Sequence, residues 1–198
     1  MNVFRCALGL CIVLLGAGCA TGDRDHVLLV SVPEQRLTLL TKGEISAEYP
    51  VSTSKFGLSD KPYSYGTPLG KMEIAQKFGG GAKSGTVFKS RRPTREIVSP
   101  NSPGRDPIVS RIIWLKGNEQ RNQNAFARYI YIHGTAEESR IGTPASYGCI
   151  RMKSADIIDL FDMVGIGARV EVLNLPTEKM LKGRAVSRGA QQVEIDRG

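Results

Sequence analysis

Three short apolar runs near the start of the chain constrain its fold most. Residues 27–32, 36–40 and 44–52 fall at regular spacing, are rich in aliphatic and β-branched side chains, and carry no helical stripe. Lys42 and Gly43 stand between the second and third runs, where a hairpin needs turn residues. Further strands are expected over 71–76, 111–116 and 129–133, the last a Tyr-Ile-Tyr-Ile run ending at His133. The first of these follows Gly66-Thr67-Pro68-Leu69-Gly70, which reads as a rigid turn and, secondarily, a pocket rim. One clear helix is expected. Ile157, Leu160, Phe161 and Val164 repeat at i, i+3, i+4 and i+7, with Ser154 as N-cap, Asp156 in the first turn and Gly165 at the end. Residues 169–173 make a closing strand. The expected class is mostly β (α+β), a sandwich- or barrel-like domain with one helix.

At 198 residues the chain suits one domain with extensions. Residues 1–19 carry Arg5, an apolar run from Cys6 to Leu15, and then Gly16-Ala17-Gly18-Cys19. This reads as a signal peptide, too short to span a bilayer. The small residues before Cys19 resemble a bacterial lipobox, which implies lipidation of Cys19 and a membrane anchor, although Gly16 stands where a leucine is usual. Cleavage near Ala20 is the alternative. The expected location is the periplasm or cell envelope. Residues 20–26 read as a polar linker with His26 at the surface, 27–173 as the folded domain, and 174–198 as a loose polar tail. The net charge of +8 suits an anionic partner: wall polymer, lipid headgroups or nucleic acid. Nucleic acid is the weakest, because no stripe of Lys and Arg interleaves with aromatics.

The chemistry concentrates between His133 and Met152. His133 is one of two histidines, and Cys149 is the one cysteine of four that lies outside the N-terminal segment. A lone cysteine or histidine is usually structural. Here, though, an unpaired thiol in an exported chain is exposed to oxidation, and catalysis gives a reason to keep it. His133 ends a strand. Cys149 follows Ser146-Tyr147-Gly148, a tight turn where a backbone can approach a substrate. A nucleophilic cysteine needs such a base.

His133, a Gly/Pro/Ser/Thr-rich spacer, then Ser146-x-Gly148-Cys149 followed by Ile150-Arg151-Met152 resembles the signature of YkuD-type L,D-transpeptidases, which remodel bacterial peptidoglycan. The resemblance runs over 27–173. Two positions depart from it: Tyr147 stands where many members have a second histidine, and Arg151 where many have asparagine. The resemblance implies Cys149 as nucleophile, His133 as base and the Gly134 carbonyl as the group that orients the histidine. We expect a thiolate–imidazolium pair and an oxyanion held by the N–H groups of Tyr147, Gly148 and Cys149. Arg151, Tyr131 and Ser146 are the candidate substrate-binding residues. Arg151 either grips a stem-peptide carboxylate or forms an internal salt bridge; Tyr131 either lines the pocket or packs. The implied reaction cuts a tetrapeptide stem after its third residue and passes the acyl group to an amine: another stem, a lipoprotein lysine or a free D-amino acid. A carboxypeptidase using water, or a wall-binding module without activity, are the alternatives.

Other motifs carry less. Ser52-Thr53-Ser54-Lys55, Lys83-Ser84-Gly85 and Ser99-Pro100-Asn101 mimic the boxes of serine penicillin-binding enzymes, but in the wrong order. The glycine-rich stretch 79–86 fails as a phosphate loop, since Ala82 precedes the lysine. Residues 91–95 are a basic cluster, either solvated or facing wall polymer. Trp114 is core or pocket wall. No cofactor or metal is expected, and the chain is expected to be a monomer.

Overall fold

A computed structural model describes residues 22–195. Cys19, with the expected signal peptide and lipidation site, lies outside the described residues. The domain is built on one curled sheet: β1 (His26–Ser31), β2 (Arg36–Thr41), β3 (Glu44–Pro50), β4 (Gly70–Phe78), β5 (Thr86–Lys89), β6 (Arg92–Ile97), β7 (Ile108–Gly117), β8 (Tyr131–Thr135), β9 (Ile150–Met152) and β10 (Arg169–Leu173). The order is β3-β2-β1-β10-β4-β7-β5-β6, and β7 also pairs β8, which pairs β9. Two neighbour pairs are parallel, β1 with β10 and β8 with β9. Helix α1 (Ser154–Met163) lies against β7 and β8.

Strand periodicity decides what each face meets. Leu28, Val30, Leu37, Leu39, Ile74, Ile113, Leu115, Ile132 and Ile150 point into the main core, which Ile157, Leu160 and Phe161 of α1 close. Val27 and Leu29 point to the other side and are equally buried, with Leu40, under Met180. That second burial corrects the expectation of a loose tail. Residues Thr177–Ile195 form helix α2. Its start is held by Glu34, whose carboxylate accepts from the Thr177 N–H at 2.9 Å. The unbroken apolar run of β1, buried on both faces, was the signal that something must cover its outer side.

Three local expectations change. The linker is docked from Asp23 onward: its N–H donates to the Ile166 carbonyl and its carboxylate accepts from Gly165 N–H and His26. His26 is half-buried in that contact rather than a free surface residue. The N-cap of α1 is Lys153, and Ser154 is its first residue, with its N–H donated to Glu138. The basic stretch 91–95 forms the turn and second strand of the β5–β6 hairpin. Its alternation is weak because both faces of β6 meet solvent, with Thr94 alone half-buried.

Candidate active site

The site is assembled at the parallel pair β8–β9. Ile132 faces Ile150, His133 faces Arg151 and Gly134 faces Met152 in register. Ile132 and Ile150 enter the main core, so alternation sends Tyr131 and His133, with Cys149 and Arg151, to the opposite side. Cys149 and His133 are therefore diagonal neighbours on one face of adjacent strands.

His133 is almost fully buried. Its Nδ1 lies 2.8 Å from the Gly134 carbonyl oxygen. A carbonyl can only accept, so Nδ1 carries the proton and the Nε2 lone pair is left as a base. Gly134 is required: a Cβ there would meet the Val109 carbonyl oxygen at 2.5 Å. A bulge in β7 lies opposite, between Val109 and Ile112, with Ser110 at φ 67.

The sulfur of Cys149 lies between two backbone groups of β8 and its approach. It accepts from the Tyr131 N–H at 3.4 Å and donates to the Tyr129 carbonyl at 3.4 Å. It opens on a cavity of about 590 Å³ walled by Tyr63, Tyr65, Asn124, Arg128, Tyr129, Ile130 and Tyr147. Burial pushes the thiol pKa up, against the Tyr131 N–H and the charges of Arg151 and Arg128. Burial likewise pushes His133 down to about 4, partly offset by the Gly134 carbonyl. Both shifts disfavour charge. Burial thus works against the expected thiolate–imidazolium pair, while the Tyr131 N–H and the Arg151 and Arg128 charges favour the thiolate.

The turn carrying the cysteine is held from several sides. Ser146 is fully buried; its hydroxyl donates to the Cys149 carbonyl at 2.5 Å and accepts from the Gly148 N–H at 3.2 Å. Ser146 therefore folds the turn, with its hydroxyl engaged inside the protein. The Gly148 N–H is also removed from the expected oxyanion donors, which leaves those of Tyr147 and Cys149. Gly148 sits at φ 116, and a Cβ would meet the Gly66 carbonyl oxygen at 3.1 Å. Thr67, also fully buried, donates to the Gly148 carbonyl at 3.1 Å and accepts from the Ser54 N–H at 2.9 Å. Thr67 was missed as a site residue, although its Thr-Pro turn had drawn notice.

Arg151 is buried between Asp106, at 2.9 Å, and Glu137, at 3.3 Å. Of its two readings the internal salt bridge holds, and the substrate-gripping one is corrected: its charge is already neutralised. Arg128 is similarly tied to Asp60 at 3.2 Å and to the Gly66 carbonyl at 2.8 Å. Tyr131 packs edge-on to Trp114 with its ring buried, and both belong to a buried cluster with Phe88 and Ile112 rather than to the cavity lining, so Trp114 is core. Tyr147 is exposed, and Lys55 donates to its hydroxyl at 3.1 Å, which lowers the phenol pKa. Ser52 is fully buried with its hydroxyl given to the Arg140 carbonyl at 3.0 Å, which disposes of the serine rival. Among the described residues no cluster of His, Cys, Asp or Glu could hold a metal.

Residues 25–172 match the family model described as YkuD, L,D-transpeptidase catalytic domain. The chain is 43% identical over 152 residues to "Probable L,D-transpeptidase ErfK/SrfK" of Salmonella typhimurium, covering 76% of this chain and 45% of that protein. It is 23% identical over 169 residues to "Probable L,D-transpeptidase YbiS" of Escherichia coli, covering 85% and 50%. The chain spans about half the length of these curated relatives. Among solved structures, L,D-transpeptidase 3 of Mycobacterium tuberculosis in complex with a faropenem-derived adduct is 16% identical with a TM-score of 0.49, covering 75% of this chain and 60% of that one.

Proposed function

The chain belongs to the YkuD family of L,D-transpeptidase catalytic domains, and on that premise we propose that it is a cysteine acyltransferase acting on peptidoglycan stem peptides. The observation that carries the reading is the β8–β9 arrangement. A thiol opening on a cavity shares a strand face with a buried histidine whose Nδ1–H is given to the Gly134 carbonyl.

The donor's carbonyl carbon, after the third residue of a tetrapeptide stem, meets the Cys149 sulfur. His133 Nε2 takes the thiol proton as the S–C bond forms, so the ion pair arises only during attack. The new oxyanion is held by the N–H groups of Tyr147 and Cys149. The C–N bond then breaks, His133 returns its proton to the leaving amine of D-alanine, and a thioester remains on Cys149. An acceptor amine attacks the thioester, giving its proton to His133. Breakdown transfers that proton to the departing sulfur and restores the thiol. Dry surroundings suit this cycle, because neutral reactants tolerate them and the transient charges gain most from fixed dipoles. Export by residues 1–19 and lipidation of Cys19 would put the domain at the wall.

Mass spectrometry of the intact protein after incubation with a tetrapeptide stem or a carbapenem tests the reading. An adduct on Cys149 is expected, and an unmodified protein counts against it. Adding an amine acceptor distinguishes transfer from hydrolysis by the product formed.

A further inference from the structure

The cavity at the sulfur is walled by tyrosines whose backbone is bent the wrong way for a bulky residue. Among the described residues, nine that are not glycine have a positive φ, and three of these are aromatic: Tyr63 (φ 62), Tyr65 (φ 55) and Tyr129 (φ 57). All three line the cavity onto which Cys149 opens, with Tyr147 as a fourth. The left-handed region is costly for a bulky side chain, and such strain gathers where a ligand is held. All four residues are exposed, Tyr63 to 93%. Three of the rings are also braced. Tyr129 stacks on the buried Trp114 with centroids 5.4 Å apart, and Tyr65 stands edge-on to Tyr147 at 6.0 Å. Aromatic surface held open around a nucleophile marks a place for a partner.

The lining also indicates what kind of partner. No carboxylate lines the cavity, and its one charged side chain, Arg128, is spent on Asp60 at 3.2 Å and on the Gly66 carbonyl at 2.8 Å. A charged peptide terminus therefore finds no free counter-ion in the lining. The aromatics there are all tyrosines, so every ring face comes with a hydroxyl. A pyranose matches that surface. Its C–H face is apolar and stacks on an aromatic ring, and its hydroxyl edge exchanges hydrogen bonds with phenols. We propose that Tyr63 and Tyr65, on the cavity they share with Tyr129 and Tyr147, hold a neutral sugar ring of the glycan that carries the stem peptide. The inference rests on the proposed action on peptidoglycan stems and adds a second point of recognition: the stem is taken on its glycan in preference to the free peptide.

The test uses Cys149→Ala protein and two ligands, a tetrapeptide stem and the same peptide bearing one disaccharide of its glycan, with affinities from calorimetry. The glycan-bearing peptide is expected to bind about tenfold tighter, the order given by one or two stacked rings. Adding Tyr63→Ala should lower that ratio about threefold, and Tyr63→Ala with Tyr65→Ala should bring it to about one. Tyr63→Phe keeps the ring face and should keep most of the ratio. A ratio near one with all the tyrosines present, a ratio that survives the double substitution, or no binding of either ligand overturns the proposal. So does Tyr63→Phe as weak as Tyr63→Ala, or an equal loss for both ligands, which would mean that the tyrosines grip the peptide. A carbapenem carries no glycan, so its adduct on unsubstituted protein reads the acyl-transfer chemistry separately. An adduct with a ratio near one removes the sugar site alone, whereas a missing adduct removes the acyl-transfer reading and leaves the ratio to judge the sugar site.

Discussion

The two faces of β8 and β9 differ as sharply as any two regions of the molecule. On one, Ile132 and Ile150 are sealed into an aliphatic core by α1. On the other, one residue away, His133, Arg151 and Tyr131 make a polar layer that is nearly as dry, with the half-buried Cys149 at its open edge. The first face needs only volume and shape. The second must also satisfy each polar group it buries, and does so: Asp106 and Glu137 for Arg151, the Gly134 carbonyl for His133, backbone groups for the thiol. Burial on that face disfavours charge on both the histidine and the thiol, against the pull of Arg151 and Arg128 on the sulfur.

Substitutions on the two faces should therefore separate chemistry from stability. Cys149→Ala has the largest expected effect: complete loss of covalent adduct by mass spectrometry, with urea unfolding little changed. Residual adduct on that variant would mean another nucleophile. Ile150→Ala, one position on, should cost about 2–5 kcal/mol in the same unfolding assay by leaving a core cavity. Its folded fraction should still acylate, and a dead but stable variant would erase the distinction between the faces.

Next comes acid sensitivity. An unfolded imidazole takes a proton near pH 6.5, the folded His133 only at about 4. Between those values the unfolded chain binds more protons, so stability falls as pH falls, by on the order of 3 kcal/mol at the lower end. Denaturation curves from pH 7 to 4 should show this slope, and His133→Gln should flatten it. An unchanged slope would mean that the acid loss comes from the carboxylates. Smallest is Thr67→Val, which removes the hydrogen bond to the Gly148 carbonyl. It should cost about 1–2 kcal/mol and slow adduct formation, because it frees the nucleophile's turn. A variant destabilised with an unaltered adduct rate would show that Thr67 supports the loop alone.

Much of this was legible in one dimension. The hairpin β2–β3, a strand through His133 and helix α1 follow from periodicity and turn residues, which are local, although β8 runs Tyr131–Thr135 and so starts and ends two residues later than the Tyr-Ile-Tyr-Ile run implied; a short motif singled out Cys149 and His133. The β5–β6 hairpin was not legible, because its outer strand presents Arg92, Pro93 and Arg95 to solvent and so lacks an apolar rhythm. Helix α2 was hidden for a related reason: its buried face near the start is little more than Met180 with Leu181.

What the chain's order determined, then, was its class, most of its strands and which residues could do chemistry. What only the tertiary structure decided was their condition: that Arg151 is neutralised, that Ser146 takes the Gly148 N–H, and that burial disfavours charge on His133. Strand and helix signals are written in neighbours along the chain. Protonation and charge balance depend on how much water remains and on which carboxylates arrive through space, Asp106 and Asp60 among them, and neither is a property of adjacent residues.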